Sequence, residues 1–428
     1  MKHILLTLCI VLCSLHLSAQ PITAEQWRDD LRFMASEMPK VHKNLFHTIS
    51  HAQFDSAVQL LDARIPSLAR HQIIIEMARI AALIGDGHTN IAPTRDPKIG
   101  FRQFPIQLYF FKEGLFIRSA AKEYSNLVGA RVVSVGNSSI EQAFNSVRSL
   151  IGRDNDMGVK FFAPFLLAMP EVLHALGIIG TMEQGIYEVE KNGKRSAVEL
   201  KPYGAAALFA PDTDTSWLLQ RGWIDARNNA ATAATLWLKD PKNKFWFVYL
   251  TDSRTLYIQF NQVGNKEDET VEQFAERFAN FIEHNSVDKC VLDLRLNRGG
   301  NGYFNHYILR ALIQSKKIDH IGKLFTIIGR GTWSAAQFLC NDLERYTNTI
   351  FVGEPTAGKV NSYGDSKKII LPNSGITVRV STLWWQQDER DDRQWIEPQI
   401  SAELTWKEYI SNNDPAMNAI LNYQPKMK

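Results

Sequence analysis

Cysteine is nearly absent from this chain of 428 residues: there are four, and two of them, Cys9 and Cys13, lie close to the N-terminus. The other two, Cys290 and Cys340, fall in a strand-like and a helix-like run, so both are expected to be buried thiols and a disulfide framework is excluded. Clustered metal ligands are missing too. His47, His51 and His71 are scattered, and no Cys/His group has ligand spacing, so neither a metal nor another cofactor is expected. There is no excess charge of one sign. The 48 Lys and Arg against 45 Asp and Glu leave +3, too little basic surplus for nucleic acid or an anionic membrane as partner. Past the N-terminus no apolar run is long enough to span a bilayer, and there is no internal repeat or low-complexity tract. The rest, 45% hydrophobic and 22% charged, is ordinary globular composition, with length for two or three domains.

The N-terminal "MKHILLTLCIVLCSLHLSAQP" has a Lys2/His3 start, a short apolar run and a small residue at Ala19. It reads as a secretory signal peptide over 1–19, cleaved near Ala19–Gln20. Neither Cys9 nor Cys13 follows a small residue, so soluble export, periplasmic or extracellular, is expected rather than a lipid anchor.

From 20 to 95 the pattern is helical. "ITAEQWRDDLRFMASEMPKVH" starts with Thr23 and Gln26 at capping-box spacing; "HAQFDSAVQLLDARI" and "RHQIIIEMARIAALIGDGH" follow with helical periodicity. Residues 96–245 alternate apolar and polar with turn glycines, giving a β-rich region. It contains a helical insert, "MGVKFFAPFLLAMPEVLHALGIIG", and a hairpin on Asn192-Gly193. From 246 to 428 strands and helices alternate, which implies βαβ units around a mostly parallel sheet, an α/β core.

Three strand-to-turn sites in this core could carry chemistry. "GRGTWSAAQFL" places Ser334 after a strand and at the start of a helix. Serine there can simply cap the helix, but the position also exposes a hydroxyl beside unpaired N–H groups able to hold an oxyanion. "LDLRLNRGG" ends in Gly299-Gly300, a pair that lets backbone turn tightly and approach a ligand. "VGEPTAGK" puts Lys359 just past another strand. A lysine is a competent general base when burial lowers its pKa. Lys359 lies 25 residues beyond Ser334, with a helix and a strand between them.

The ordered set "DGHT", "VLDLRLNRGG", "TWSAAQFL", "VGEPTAGK" and "LPNSGITV…IEPQI" resembles the tail-specific, C-terminal-processing serine peptidases, over roughly residues 25–410. The resemblance implies a ClpP/crotonase-like core, a PDZ-like middle region and a peptide or protein as substrate. It makes Ser334 the nucleophile and Lys359 the general base, with Gly299 or Gly300 and the Ala335 N–H as the oxyanion hole. Two positions depart from the pattern: Tyr363 stands where a glutamine often orients the lysine, and Gln337 where many members carry glutamate. In the tricorn-like branch a histidine is the base, oriented by an acidic residue. His88 in "GDGHTNI" and Asp392 in "QQDERDDRQWIEP" are the counterparts here, and the other acids of that loop read as a solvated charge run. Both arrangements stay open, with Lys359 favoured and His88 secondary. A non-catalytic peptide binder and an esterase-type hydrolase are the competing functions. Trp333, Trp384 and Trp385 are candidates for core or for a substrate pocket.

Overall fold

The computed structural model describes residues 21–204, 217, 220–227 and 235–425; the expected signal peptide lies outside them. Three helices open the chain, Ala24–Val41, His51–Arg64 and Arg70–Ala82. The first starts at the expected capping box: Gln26 N donates to Thr23 Oγ1 at 3.2 Å and Thr23 N to Gln26 Oε1 at 2.9 Å. Trp27, Leu31, Met34 and Met38 recur at helical spacing and form its buried stripe.

A seven-stranded antiparallel sheet follows. Its hairpin Gly185–Lys191/Lys194–Leu200 turns at Asn192 and Gly193, both at positive φ (52° and 73°), as a two-residue turn with matching twist requires. Helices Ile140–Arg148, Asp156–Leu166 and Pro170–Ala175 interrupt the sheet in sequence.

The last part is a six-stranded sheet in the order Ile400–Ser401, Ile350–Gly353, Leu324–Ile328, Lys289–Asp293, Thr255–Phe260, Phe245–Leu250. The first five run parallel and Phe245–Leu250 is antiparallel. Helices Val271–His284, Asn305–Gln314 and Ala335–Tyr346 connect the parallel strands. The inner strands are apolar on both faces, as strands covered on both sides must be. Cys290 and Cys340 are buried here and unpaired. The whole is a mixed α/β structure. Among the described residues no helix is long and apolar enough to cross a membrane, and no group of His, Cys, Asp or Glu could hold a metal ion.

One feature ties the two ends of the chain together. The hairpin Ser362–Ile370/Thr377–Trp385 leaves the parallel core and buries Ile369, Leu371, Ile376, Val378 and Val380 in the hydrophobic cluster of the N-terminal helices and the antiparallel sheet. Asp30 of the first helix accepts from the N–H groups of Asn373 and Ser374 at the hairpin tip, both at 2.8 Å. Asn90 and Arg379 exchange two backbone hydrogen bonds, 3.0 and 2.9 Å. The loop that contains His88 is thereby fastened to an extension of the core that contains Ser334.

Candidate active site

Strand Leu324–Ile328 delivers the chain to a turn over 329–333. Thr332 fixes that turn, accepting from Gly329 N at 3.1 Å and donating to Leu294 O at 2.9 Å. Asn297 joins it to the glycine turn: its carbonyl accepts from Trp333 N at 3.1 Å, and its Oδ1 from Gly299 N at 2.9 Å. Ser334 then takes φ 57° and ψ −127°, a conformation L-residues rarely adopt, and helix Ala335–Tyr346 begins. Ser334 sits at the cap position but makes no side-chain cap bond. Its Oγ lies 3.2 Å from Nε2 of His88 instead. Strained backbone at a functional group persists only where the surroundings over-determine it, and here strand, turn and helix all do.

His88 is half-buried and stacks on Trp333, with ring centroids 4.0 Å apart and planes at 21°. Burial pushes its pKa down to about 4, against the pull of Asp86 and with the push of Arg95, so the ring is neutral at physiological pH and able to accept a proton. Its Nδ1 has no hydrogen-bond partner among the described residues; the backbone of Tyr363 lies near enough to favour the charged ring slightly. The loop is held by Asp86, which accepts from His88 N (2.9 Å), Thr89 N (2.8 Å), Ser381 Oγ of the hairpin (2.6 Å) and His42 Nε2 of the first helix region (3.0 Å). Burial raises the Asp86 carboxyl, but the hydrogen bonds from His42 and Ser381 outweigh it and hold the pKa down at about 2.

Gly299 lies directly against the serine. At φ 100°, a Cβ there would stand 2.8 Å from Ser334 Cβ and 2.9 Å from Ala335 N. Gly300, at φ 133°, faces elsewhere: its Cβ would meet Val263 O at 2.2 Å. The Gly300 α-carbon is thus packed on backbone, and of the two glycines Gly299 is the one whose α-carbon lies beside Ser334. The Ala335 N–H, first of its helix, is left without an intrahelical acceptor.

The other expected residues are placed differently. Lys359 is half-buried at the end of a turn that Asn155 holds through Thr356 O at 3.1 Å and Gln394 O at 2.6 Å. Among the described residues its amine makes no hydrogen bond or ion pair with Ser334 or any other group; its charge is felt at Asp154 and His47. Asp392 is exposed on a loop anchored by Asn361 and bonds to neither His88 nor Ser334. Its neighbours Asp388 and Asp391 pair with Arg345 and Arg393. Tyr363 packs its ring on His42, His47 and Trp384, at 4.9, 4.4 and 4.6 Å, not on Lys359. Gln337 donates to Asn341 at 2.9 Å behind Gly358. Of the three tryptophans, Trp333 is buried as part of the site and Trp384 is exposed.

Sequence reasoning missed Asp86 and Asp154. Asp86 carries a legible signal, a carboxylate two and three residues before N–H groups it can accept from. Asp154, in "GRDND", carries none.

A hydroxyl pointed at a neutral, half-buried imidazole, beside a free helix N-terminal N–H, is equipped to attack a carbonyl and shelter the resulting oxyanion. The whole fold is similar to that of mature CPAF, with a TM-score of 0.59 and 11% identity over 95% of this chain and 99% of that one. Mature CPAF complexed with lactacystin matches at a TM-score of 0.61 and 11% identity, over 93% and 99%. A looser likeness, TM-score 0.41 and 12% identity over 92% and 96%, is to the photosystem II D1 C-terminal processing protease. No family model matches the sequence, and no curated protein does.

Proposed function

We propose that this protein is a serine peptidase that hydrolyses peptide bonds through an acyl-enzyme on Ser334. The observation that carries the reading is the 3.2 Å approach of Ser334 Oγ to Nε2 of half-buried His88, with the serine at positive φ and not capping its helix. Oγ attacks the scissile carbonyl while Nε2 takes its proton. The oxyanion is received by the N–H groups of Ala335 and Gly300, since Gly299 N already donates to Asn297. His88 returns the proton to the leaving amine; it then deprotonates the water that frees the acyl group and regenerates Ser334. Lys359 and Asp392 have no part in this sequence of steps.

Two structural readings go with it. The parallel sheet and its helices are taken as a ClpP/crotonase-like core, and the antiparallel sheet as a PDZ-like region able to receive a peptide. Export by the N-terminal segment places the substrate outside the cytoplasm. The test is a fluorophosphonate probe followed by mass spectrometry. Modification of Ser334 is expected; folded protein left unmodified refutes the activated nucleophile and favours a peptide binder. Matched peptide and ester panels then decide between peptidase and esterase, and ester-only turnover overturns the peptide assignment.

A further inference from the structure

Two chain segments far apart in sequence must meet for His88 to reach Ser334, and a buried carboxylate lies across their junction. Asp154 Oδ1 accepts from Gly87 N at 3.0 Å, and Asp154 Oδ2 from Trp333 Nε1 at 2.7 Å. Gly87 is the residue before His88 and Trp333 the residue before Ser334. The segments are so close that a Cβ on Gly87 would stand 2.8 Å from the Trp333 ring. The next residue, Asn155, caps helix Asp156–Leu166 and reaches Thr356 O and Gln394 O. Asp154 is thus held in place through its neighbour Asn155, which bonds to backbone of the core and caps the helix.

We infer that Asp154 is a positioning residue, a two-armed acceptor that sets the distance and angle between His88 and Ser334. It touches neither the hydroxyl nor the imidazole. It acts through Gly87 on the backbone of one and through the Trp333 indole on the other, and that indole is the surface His88 stacks on. The inference rests on the serine-hydrolase reading of the site.

The charged groups around Asp154 give the clip a pH dependence. Burial pushes its pKa up to about 6; the Gly87 N–H pulls it down, Asp86 on the His88 loop pushes it up, and the Trp333 indole and Lys359 pull it down. Arg298 stands 5.2 Å from the centroid of the Trp333 ring, on which His88 also stacks. Arg153 and Asp156 flank it in its own segment. A protonated carboxyl is a poorer acceptor for two N–H donors, so the clip weakens as pH falls through about 6, well above the pH at which His88 itself takes a proton.

The experiment compares Asp154→Asn, Trp333→Phe, the double variant and a control, Asp156→Asn, whose carboxylate pairs with Arg148 on the surface. Turnover, fluorophosphonate labelling rate and hydrogen exchange at 86–90 and 333–335 are measured. Asp154→Asn is expected to lower kcat about tenfold to a hundredfold with KM little changed, the scale of a sub-ångström to 1 Å misplacement of reacting groups. Labelling should slow in proportion. The double variant should be no worse than the poorer single one, because both remove the same link. The acid limb of wild-type kcat, with its midpoint near 6, should vanish in Asp154→Asn. Wild-type kcat in that variant, additive effects in the double variant, or an unshifted acid limb overturns the inference. Should the wild type itself fail to label, the serine-hydrolase reading falls, and hydrogen exchange decides on the clip: faster exchange in both segments in Asp154→Asn supports it, unchanged exchange refutes it.

Discussion

Replacing His88 by alanine, with Lys359→Ala as its counterpart, tests the geometry of the site most directly. His88 is the only group bonded to Ser334 Oγ among the described residues, and its neutral form predominates above about pH 4. Without it the serine proton must go to water. General-base loss costs about a hundredfold to ten-thousandfold in kcat, or about 3 to 5 kcal/mol of barrier at 1.36 kcal/mol per decade. The substitution also strips one face of Trp333 and leaves a small void, a stability cost of about 1 to 3 kcal/mol, so folding is checked by circular dichroism and thermal melting first. Lys359 acts on the site only through space, at Asp154 and His47, and its removal should change turnover by less than about tenfold. Both variants are assayed for peptide turnover and probe labelling between pH 5 and 9. A folded Lys359→Ala protein as inert as Ser334→Ala, alongside a His88→Ala protein that retains most turnover, would refute the histidine assignment and restore the Ser–Lys dyad.

Further outcomes follow from the same contacts. Gly299→Ala puts a methyl 2.8 Å from Ser334 Cβ at a left-handed φ; kcat should fall about a hundredfold to a thousandfold through the distorted oxyanion turn, and normal labelling of Ser334 would count against that placement. Gly300→Val drives a side chain onto Val263 O, so the expected result is a lowered melting temperature or insoluble protein; a folded, stable variant contradicts the packing. Asp86, with a carboxyl depressed to about 2, stabilises the fold above its unfolded pKa, by about 2 kcal/mol, and this is lost as pH falls through the folded value. Urea unfolding of wild type and Asp86→Asn should therefore differ most at pH 5 to 7 and converge towards pH 2; a constant difference refutes the linkage. Exported protein should begin near Gln20, and N-terminal sequencing that finds residues 1–19 intact would sink the export proposal.

Much of the local structure is legible in the sequence because it is set by neighbours along the chain. The capping box of Thr23 and Gln26, the Asn192-Gly193 turn, the buried strand in "DKCVLDLRL" and the strand–turn–helix that presents Ser334 are all decided within about ten residues. Paired glycines after a strand also mark, locally, backbone that something approaches, but that Gly299 is the one beside Ser334 is read from the tertiary structure. The partner of Ser334 is another matter. Lys359, only 25 residues away, looked the nearer base, whereas His88 is 246 residues distant. Separation in sequence says little about distance once a fold closes long loops. The hairpin Ser362–Ile370/Thr377–Trp385 buries its apolar side against the N-terminal helices, and Asp86 and Asp154 then tie the His88 loop to it and to Trp333. Asp154 has no periodicity and no motif, and Asp86 only a local turn signal that does not name its distant partners; both matter because burial leaves their acceptors nowhere else to go. The sequence by itself determined the elements and the strand–turn–helix that presents Ser334. Only the tertiary structure decided that its hydroxyl meets His88, because that depends on long-range packing of apolar surface and on the obligation of buried polar groups to find partners.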